Sequence, residues 1–397
     1  MKNEERKRKR DNTMIKLVFI LCLMVLLPAR SGAQMQIPPM SQPDKPNNDP
    51  LKPNLSRRHA NTDLAGVTEG NYIVEEYKNL LTPNERFRRA SRGIILIGGG
   101  KNLRAASPFG GSTIMGEAYA NAVNEYKKCF GHDVNVYCMI IPTALEYYCP
   151  DNARQYTSSE YLAINRLYGH LSDSVKAVDV YTPLGRHASE DIYLRTDHHW
   201  SALGAYYAAR EFAYVAGVPF RELDNYDSVV VRNFVGTMHK FSRDASVKRA
   251  PEDFVYYVPR DVEYTTTYIN YATNRKRKPV AEQAPQKGDF FRLFPDGSPA
   301  AYSTFIGGDA NTTKVVTSTK NGRRLLLLKD SFGNAIPGYL FHSFEEINIV
   351  DYRYFLRNIV TFVNDNKVTD ILFANNNAHA HSSATSEAYM TFLKRKK

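Results

Sequence analysis

Short apolar runs and segments of helical spacing alternate along the chain from about residue 86 to its end. Six of the apolar runs are bounded by glycine, proline or polar residues, which is typical of buried strands. These are Gly93–Gly98, Val134–Ile141, Val175–Tyr181, Arg324–Lys329, Glu346–Val350 and Asp370–Phe373. Helical spacing is found at Ile114–Lys128, Tyr161–Leu171, Ser201–Ala216 and Phe355–Asn364. This alternation predicts an α/β fold, with a mainly parallel sheet between two layers of helices and therefore three layers in all.

The segment from about residue 218 to 320 interrupts the alternation. It contains short β-prone pieces, such as Phe254–Val258 and Tyr264–Tyr271, that are separated by polar stretches. We therefore expect a β-rich insertion within one α/β domain that runs from residue 86 to 397. In mainly parallel sheets, binding and catalytic side chains lie beyond the carboxyl ends of the strands.

The first 33 residues have the pattern of a secretion signal. A basic stretch precedes the apolar run Leu17–Leu27, and the small residues Ser31–Ala33 follow it. This run of eleven residues is too short to cross a hydrocarbon layer of about 30 Å as a helix. An uncleaved amino-terminal anchor is the alternative. Residues 34–85 are predicted to be a flexible tether rich in proline and asparagine, so we expect an exported protein, periplasmic or associated with the cell envelope.

The distribution of basic and acidic residues along the chain limits the classes of function that the protein could have. Residues 1–33 carry eight basic and three acidic side chains, and so contribute +5 of the formal net charge of +11. Two basic clusters, Arg275–Lys278 and Lys394–Lys397, add +4 each, so the rest of the chain is nearly neutral. This distribution argues against a nucleic-acid-binding protein. We expect the clusters to be solvated, with contact to an anionic polymer or a membrane surface as the alternative.

Cysteine and histidine spacing bears on disulfides and metals. Cys129, Cys138 and Cys149 lie beyond residue 33, and in an exported protein they allow one disulfide, whose pairing the spacing does not select. The C-x-x-C spacing of many zinc and redox sites is not found in the sequence. His379 and His381 have the spacing of a zinc-binding pair, but no carboxylate adjoins them. We therefore expect no metal and no other cofactor.

The most specific local motif is Asp197-His198-His199-Trp200, directly before the helix predicted from Ser201. An aspartate two positions before a histidine can turn its carboxylate toward the imidazole, where it fixes the tautomer and stabilises the imidazolium. Trp200 is the only tryptophan of the chain and would hold the turn rigid. The alternative is a polar turn that caps the helix. We predict that Asp197 and His199 are the acid and the base of a catalytic triad.

A second motif places a serine directly after a predicted strand. The apolar run that ends at Lys329 leads into Ser331, and Gly333 and Asn334 follow. This arrangement exposes a hydroxyl at the end of a sheet and surrounds it with backbone N–H groups that can stabilise an oxyanion. On its own the pattern is equally typical of a helix cap. Combined with the preceding motif, it supplies a nucleophile for the predicted acid and base.

Three further residues are candidate substrate contacts or oxyanion donors. Arg353 follows a predicted strand and could bind an anionic or hydroxyl-rich substrate, with a structural salt bridge as the alternative. Asn375 closes the last strand, where its amide could serve an oxyanion hole or a sugar, and a strand-end turn is the alternative. His198 contacts substrate or packs against the site.

These motifs occur in an order that resembles the DHHW protein family. The resemblance extends from about residue 90 to the end of the chain, and Asp-His-His-Trp is its specific string. The strings that carry it are Ile141-Pro142-Thr143, Thr196–Trp200, Gly204–Tyr207, Tyr302–Asp309, Lys329-Asp330-Ser331 and Asp351-Tyr352-Arg353. The family is similar to SGNH-hydrolase-like proteins that O-acetylate alginate in the periplasm. In those proteins an Asp-x-His-Trp motif precedes an Asp-Ser motif, so the resemblance implies a permuted SGNH-hydrolase-like fold.

The resemblance implies roles for Asp197 as acid, His199 as base and Ser331 as nucleophile. It implies an exported acyltransferase or esterase that acts on O-acetyl groups of an extracellular or periplasmic polysaccharide. A transferase of this kind needs a polysaccharide acceptor and a membrane partner that donates acetyl groups. One alternative is a glycan-binding or scaffold protein of the cell envelope without catalysis. Another is metal-dependent hydrolysis through His198, His199, His379 and His381.

Overall fold

A nine-stranded mixed sheet is the central feature of the computed structural model, which describes residues 73, 75–276 and 278–396. The predicted signal sequence (1–33) and the predicted tether up to residue 72 lie outside the described residues. None of the helices in the described part of the chain is both long and apolar enough to pass through a membrane.

The described residues contain fourteen strands and ten α-helices. The strands are β1 Phe87–Arg89, β2 Ile95–Ile97, β3 Arg104–Ala106, β4 Asn135–Ile141, β5 Lys176–Ala177, β6 Tyr226–Phe234, β7 Glu252–Pro259, β8 Tyr264–Thr273, β9 Pro279–Glu282, β10 Gln286–Gly288, β11 Asn311–Thr317, β12 Arg324–Lys329, β13 Glu346–Asp351 and β14 Asp370–Asn376. The helices are α1 Thr113–Phe130, α2 Ala144–Tyr148, α3 Glu160–Gly169, α4 Tyr181–Arg186, α5 Ala202–Ala216, α6 Met238–Ser242, α7 Ala245–Lys248, α8 Ile359–Asp365, α9 Asn377–Ala380 and α10 Ser383–Lys394.

Five neighbouring strands of the central sheet are parallel, in the order β13-β12-β14-β4-β5. In this register Lys329, the last residue of β12, lies opposite Asp351 of β13 on one side and Ala374 of β14 on the other. The chain segments that leave β12, β13 and β14 therefore emerge side by side at one edge of the sheet. Four further strands, β8 to β11, extend the sheet beyond β13 with antiparallel pairing.

Alternation along β12 separates two hydrophobic cores. Leu325 and Leu327 belong to a core that contains α5, whereas Leu326 and Leu328 belong to a core that contains residues of α1, α3, α8 and α10. Because successive side chains of a strand point to opposite faces of its sheet, helices cover both faces of the parallel strands. The structure is thus a mixed α/β fold.

The region predicted as a β-rich insertion, about 218–320, contains the six strands β6 to β11. β6 and β7 form a separate antiparallel pair, whereas β8 and β11 join the central sheet through β13. The sequence pattern does not indicate this continuity, because strand pairing across long chain separations is set by tertiary packing.

Two predicted strands differ from the structure. Val175–Tyr181 forms strand only at Lys176–Ala177, because the Asp179 carboxylate accepts the Thr182 N–H at 3.0 Å and a helix begins at Tyr181. The run Gly93–Gly98 does contain β2, but this strand lies in a small antiparallel sheet with β1 and β3. The connections between these three strands are too short for the crossover that a parallel pair needs.

The other elements agree closely with the sequence pattern. Helix α5 spans Ala202–Ala216, within one residue of the predicted Ser201–Ala216, and the Ser201 hydroxyl caps it by accepting the Gly204 N–H at 3.2 Å. β12 spans the predicted residues, Arg324–Lys329. All three cysteines of the described residues have free thiols, Cys129 at the surface and Cys138 and Cys149 buried.

Candidate active site

The structure brings Asp197, His199 and Ser331 together in one hydrogen-bonded chain. His199 Nε2 lies 2.8 Å from Ser331 Oγ, and His199 Nδ1 lies 2.6 Å from Asp197 Oδ1. Ser331 lies two residues after the end of β12, and His199 lies three residues before the start of α5. The imidazole is largely enclosed, with 8% of its side chain exposed. The geometry matches a nucleophile, its base and the carboxylate that orients the base.

The turn that carries Asp197 is fixed from several sides. Asp197 Oδ1 also accepts the backbone N–H of His199 at 3.1 Å. Its Oδ2 accepts the backbone N–H of Thr237 at 2.8 Å and the Thr237 hydroxyl at 2.9 Å. Gly236 leaves the space for this approach, since a Cβ at that position would lie 2.4 Å from Asp197 Oδ2. Both carboxylate oxygens are thus held, which leaves the imidazole in one orientation.

Two aromatic residues connect this turn to the serine. Trp200 donates its indole N–H to the carbonyl of Phe332 at 3.0 Å. The Tyr302 ring stacks on His199 at 3.8 Å between centroids with planes 4° apart, and its hydroxyl donates to the carbonyl of Ser331 at 3.1 Å. Trp200 and Tyr302 therefore fix His199 and Ser331 relative to each other.

Burial and neighbouring charges shift the protonation of this cluster. Burial alone raises the pKa of Asp197, but the imidazoles of His199 and His198 and the N–H of Thr237 outweigh it and hold this pKa well below its ordinary value. For His198, burial and the adjacent His199 lower the pKa to about 3, despite the attraction of Asp197. His198 is thus neutral near pH 7, and its Nδ1 lies 2.6 Å from the Thr237 hydroxyl.

The predicted oxyanion donors after the serine are largely occupied. Gly333 donates its N–H to the carbonyl of Asp330 at 3.0 Å, and a Cβ at Gly333 would lie 2.4 Å from the Cβ of Lys329. Asn334 is buried and donates its side-chain amide to Asp309 at 2.8 Å. Its Oδ1 has no hydrogen-bond partner within the part of the chain that the structure describes.

Arg353 and Asn375 lie at the ends of the strands on either side of β12. Arg353 bonds Asp351 through Nε at 2.8 Å and Nη2 at 2.6 Å, and its Nη2 lies 2.9 Å from Asp309. Its side chain remains 33% exposed. Asn375 is fully buried, and its Oδ1 accepts the hydroxyls of Tyr119 and Tyr389, each at 2.7 Å. Burial separates Asn375 from any substrate, whereas Arg353 is accessible.

A second histidine–aspartate pair lies next to the serine, and the sequence analysis did not predict it. His379 Nδ1 lies 2.9 Å from Oδ2 of Asp330, the residue before Ser331. The same Oδ2 accepts the backbone N–H of Asn376 at 2.7 Å. The His379 backbone N–H is capped by the Asn376 side chain at 3.1 Å. Asn376, which follows the predicted candidate Asn375 at the end of β14, is the asparagine that positions this histidine.

The described residues contain one histidine–carboxylate cluster with atoms close enough to share a metal ion, Asp197, His198 and His199, within 4.8 Å of one another. Those atoms already serve hydrogen bonds within the protein, to Thr237 and between His199 and Asp197. His381 is directed elsewhere, with its Nδ1 2.9 Å from the carbonyl of Asn377. The donor set fits a hydrogen-bonded triad better than a metal site, and the four histidines do not form one ligand set.

The fold and the site together define the class of protein: a mixed α/β domain with a Ser-His-Asp arrangement at the carboxyl end of a parallel strand. The DHHW protein family model matches residues 98–350, which is more than half of the chain. This chain belongs to the DHHW family, as the sequence motifs predicted.

Solved structures show the same relationship. The crystal structure of a DHHW family protein from Eubacterium siraeum DSM 15702 is 37% identical, with a TM-score of 0.69, over 78% of this chain and 99% of that one. Bacillus cereus PatB1 with a sulfonyl adduct is 17% identical, with a TM-score of 0.58, over 76% of this chain and 98% of that one. A second PatB1 structure is 19% identical, with a TM-score of 0.57, over 74% of this chain and 99% of that one. A search of curated proteins found no match.

Proposed function

We propose that this protein is an exported serine-dependent acyltransferase or esterase that acts on O-acetyl groups of an extracellular or periplasmic polysaccharide. The observation that carries the proposal is the continuous chain of hydrogen bonds from Asp197 through His199 to Ser331. A buried carboxylate, an enclosed imidazole and a partly exposed hydroxyl in this order are the components of nucleophilic acyl transfer.

The proposed chemistry has two half-reactions. In the first, Ser331 Oγ bonds the carbonyl carbon of an acetyl donor while its proton passes to His199 Nε2. The tetrahedral intermediate then collapses, and the leaving oxygen takes that proton from His199. In the second, a sugar hydroxyl or water gives its proton to His199 Nε2 and attacks the carbonyl carbon of the acetyl-serine. The bond between that carbon and Ser331 Oγ then breaks, and His199 returns the proton to Ser331 Oγ. Asp197 stays ionised throughout and stabilises the imidazolium.

The surroundings of the serine favour a hydroxyl-rich substrate. Three polar side chains of the candidate site residues and of the second histidine–aspartate pair are partly exposed, namely His198, Arg353 and His379 at 30%, 33% and 34%. The charge of Arg353 is already paired with Asp351 and Asp309. A neutral polyol such as a sugar therefore fits this lining better than a strongly anionic ligand.

The finer features of the fold and location belong to the same proposal. We propose the three-layer, permuted SGNH-hydrolase-like architecture, supported by helices on both faces of the parallel strands and by the acid–base pair preceding the serine. The amino-terminal sequence pattern supports export through a signal of residues 1–33. As a transferase, the protein would take acetyl groups from a membrane partner and pass them to a polysaccharide acceptor.

The proposal is tested by intact-mass analysis after incubation with an activated acetyl ester. We expect the protein to gain one acetyl group, or to hydrolyse the ester, and we expect Ser331→Ala and His199→Ala to lose both activities. Release of the acetyl group by oligosaccharides faster than by water would identify a transferase, and equal release would identify an esterase. Neither adduct nor turnover, combined with binding to a polysaccharide that Ser331→Ala leaves unchanged, would instead identify a glycan-binding protein.

A further inference from the structure

Acyl transfer at Ser331 requires hydrogen-bond donors for the oxygen that becomes negatively charged. The backbone donors that follow Ser331 already have partners. Phe332 donates its N–H to Asp330 Oδ1 at 2.9 Å, and Gly333 donates its N–H to the Asp330 carbonyl at 3.0 Å. The Asn375 amide donates to Asp330 Oδ2 at 3.4 Å. The backbone N–H groups of the two residues after Ser331 are therefore occupied by internal hydrogen bonds, and a side chain from another element could supply a further donor.

His379 has a ring nitrogen available for this purpose. Its Nδ1 lies 2.9 Å from Asp330 Oδ2, and Tyr352 packs edge-on against the ring at 5.9 Å between centroids. Its Nε2 has no hydrogen-bond partner among the residues that the structure describes, and 34% of the side chain is exposed. The ring is thus fixed at one nitrogen and accessible at the rest of its surface.

The topology places His379 on the β14 side of the serine. β12 and β14 are adjacent and parallel, so the segments after them leave the sheet together. The carboxylate that holds His379 belongs to the residue directly before Ser331. The charge of His379 is among the smaller influences that lower the pKa of His198, and the ring centroids of His198 and His199 are 3.7 Å apart. His379 therefore borders the same site as the base.

We propose that His379 is a further catalytic residue, whose Nε2–H donates a hydrogen bond to the acyl carbonyl oxygen as that oxygen becomes an oxyanion. This inference rests on the proposed function. When Ser331 Oγ bonds the carbonyl carbon, the carbonyl π pair moves onto the oxygen and the serine proton moves to His199. His379 keeps its own proton and stabilises the new charge. When the intermediate collapses, the pair re-forms the carbonyl bond, and His199 protonates the leaving oxygen.

The electrostatics of the Asp330–His379 pair support a protonated imidazole. Burial alone raises the pKa of Asp330, but His379 and two backbone N–H groups outweigh it and lower this pKa to about 2. Burial alone lowers the pKa of His379, and Arg353 lowers it further, but Asp330 and the more remote Asp351 outweigh them and raise it. Neutral His379 would keep its proton on Nδ1, facing Asp330, and its Nε2 could then only accept a hydrogen bond.

A pH dependence follows with a definite sign. The proposed donor is present below the raised pKa of His379 and is lost as the pH rises through it. The rate of acetylation should therefore decline on the alkaline side. A glutamine at position 379 presents an amide N–H that does not titrate, so His379→Gln should lose this alkaline decline, whereas His379→Ala should lose the donor at every pH.

The test measures the rates of acetylation by 4-nitrophenyl acetate and of deacetylation by water across pH, for the full chain and its variants. His379→Ala should slow both steps by roughly 10²- to 10³-fold, the typical loss for one oxyanion donor. His379→Gln should retain more activity than His379→Ala and should lack the alkaline decline. His342→Gln is the matched control, since His342 lies at the surface and bonds the carbonyl of Arg260, and it should behave as the unmodified protein.

Three outcomes would overturn the inference. Unchanged acetylation and hydrolysis in His379→Ala, with only transfer to a sugar impaired, would make His379 an acceptor contact. Equal losses in both variants, together with a fall in melting temperature, would make its role structural. An unmodified protein that neither forms an adduct nor hydrolyses the ester would overturn the proposed function, and this inference with it.

Discussion

Two histidine–aspartate pairs border Ser331, and they differ in what the second ring nitrogen does. In both pairs a buried carboxylate holds the imidazole through Nδ1, at 2.6 Å for Asp197–His199 and 2.9 Å for Asp330–His379. His199 directs Nε2 to the serine hydroxyl at 2.8 Å and is 8% exposed, whereas His379 is 34% exposed. The His199 side chain is therefore enclosed by protein atoms, whereas the His379 side chain is partly accessible to solvent or to a ligand.

The roles that we propose for these two histidines require opposite protonation states. A base that takes the serine proton must be neutral before the reaction, whereas a donor to an oxyanion must be protonated. Around His199 the carboxylate is held by Thr237 and the ring is covered by Tyr302. The His379 ring packs edge-on against Tyr352, but 34% of the side chain remains exposed. In the proposed mechanism, the surroundings of each imidazole, rather than the histidine–aspartate pairing that both share, distinguish the two roles.

We expect the largest loss of turnover when the negative charge of Asp197 is removed from the Asp197–His199 pair. Asp197→Asn keeps the size of the side chain but removes the negative charge that fixes the tautomer of His199. We expect the rate of acetyl transfer or hydrolysis to fall by about 10⁴-fold, as for the acid of a serine triad. The measurement is the rate of ester turnover beside Asp296→Asn, a control whose carboxylate is 54% exposed and lies 4.0 Å from Arg232. Turnover within tenfold of the unmodified protein would remove Asp197 from the triad.

A steric change at the same pair should have the next largest effect. In Gly236→Ala the new Cβ would lie 2.4 Å from Asp197 Oδ2 and displace the carboxylate. Because a displacement of about 1 Å can cost about 10²-fold in rate, we expect a loss of that order in ester turnover. Gly110→Ala is the matched control, since a Cβ there meets nothing within 4 Å. Equal rates in the two variants would show that the site tolerates movement of Asp197.

The Asp330–His379 pair should affect how the free energy of unfolding depends on pH in the acid range. The pKa of Asp330 is about 2 in the folded protein, below the ordinary value of about 3.9. Its contribution, on the order of 2–3 kcal/mol, is therefore present above about pH 4 and is lost as the pH falls through about 2. Urea unfolding should show the difference in stability between the unmodified protein and Asp330→Asn shrinking between pH 5 and pH 2. A difference that is independent of pH would mean that the Asp330 charge contributes nothing.

We expect the smallest loss of turnover from a change at Thr237, which donates hydrogen bonds to Asp197. Thr237→Val removes the hydroxyl that donates to Asp197 Oδ2 at 2.9 Å but keeps the backbone N–H that donates at 2.8 Å. One hydrogen bond to a charged group is worth about 1.5–3 kcal/mol, and we expect a loss of roughly tenfold in turnover. Thr265→Val, at an exposed position of β8, should leave turnover unchanged. A loss as large as that of Asp197→Asn would place Thr237 in the chemistry itself.

The sequence allowed the first pair to be predicted but not the second. Asp197 and His199 stand two residues apart in a distinctive string, so their pairing is a local property. Asp330 and His379 are 49 residues apart, and they meet because β12 and β14 are neighbours in the sheet. From the sequence, His379 is a candidate only as a metal ligand, paired with His381 or together with His198 and His199 as well. Thr237 lies between two strands without any pattern that would mark it.

The same distinction between local and distant interactions applies to the fold. Apolar runs such as Val134–Ile141 and Arg324–Lys329 predicted the parallel strands, because strands buried on both faces are apolar throughout. The antiparallel extension through β8 and β11 was not predicted as part of that sheet. Its strands carry threonine and tyrosine beside apolar residues, and only the pairing of β11 with β13 attaches them.

Whether Ser331 is a nucleophile activated by His199 can be determined by locating the acetyl group after reaction with an activated ester. The labelled protein would be digested and the modified residue identified by fragmentation mass spectrometry. We expect acetylation at Ser331, and we expect it to be absent from His199→Ala and from Ser331→Ala. An acetyl group at another residue, or labelling undiminished in these variants, would contradict it.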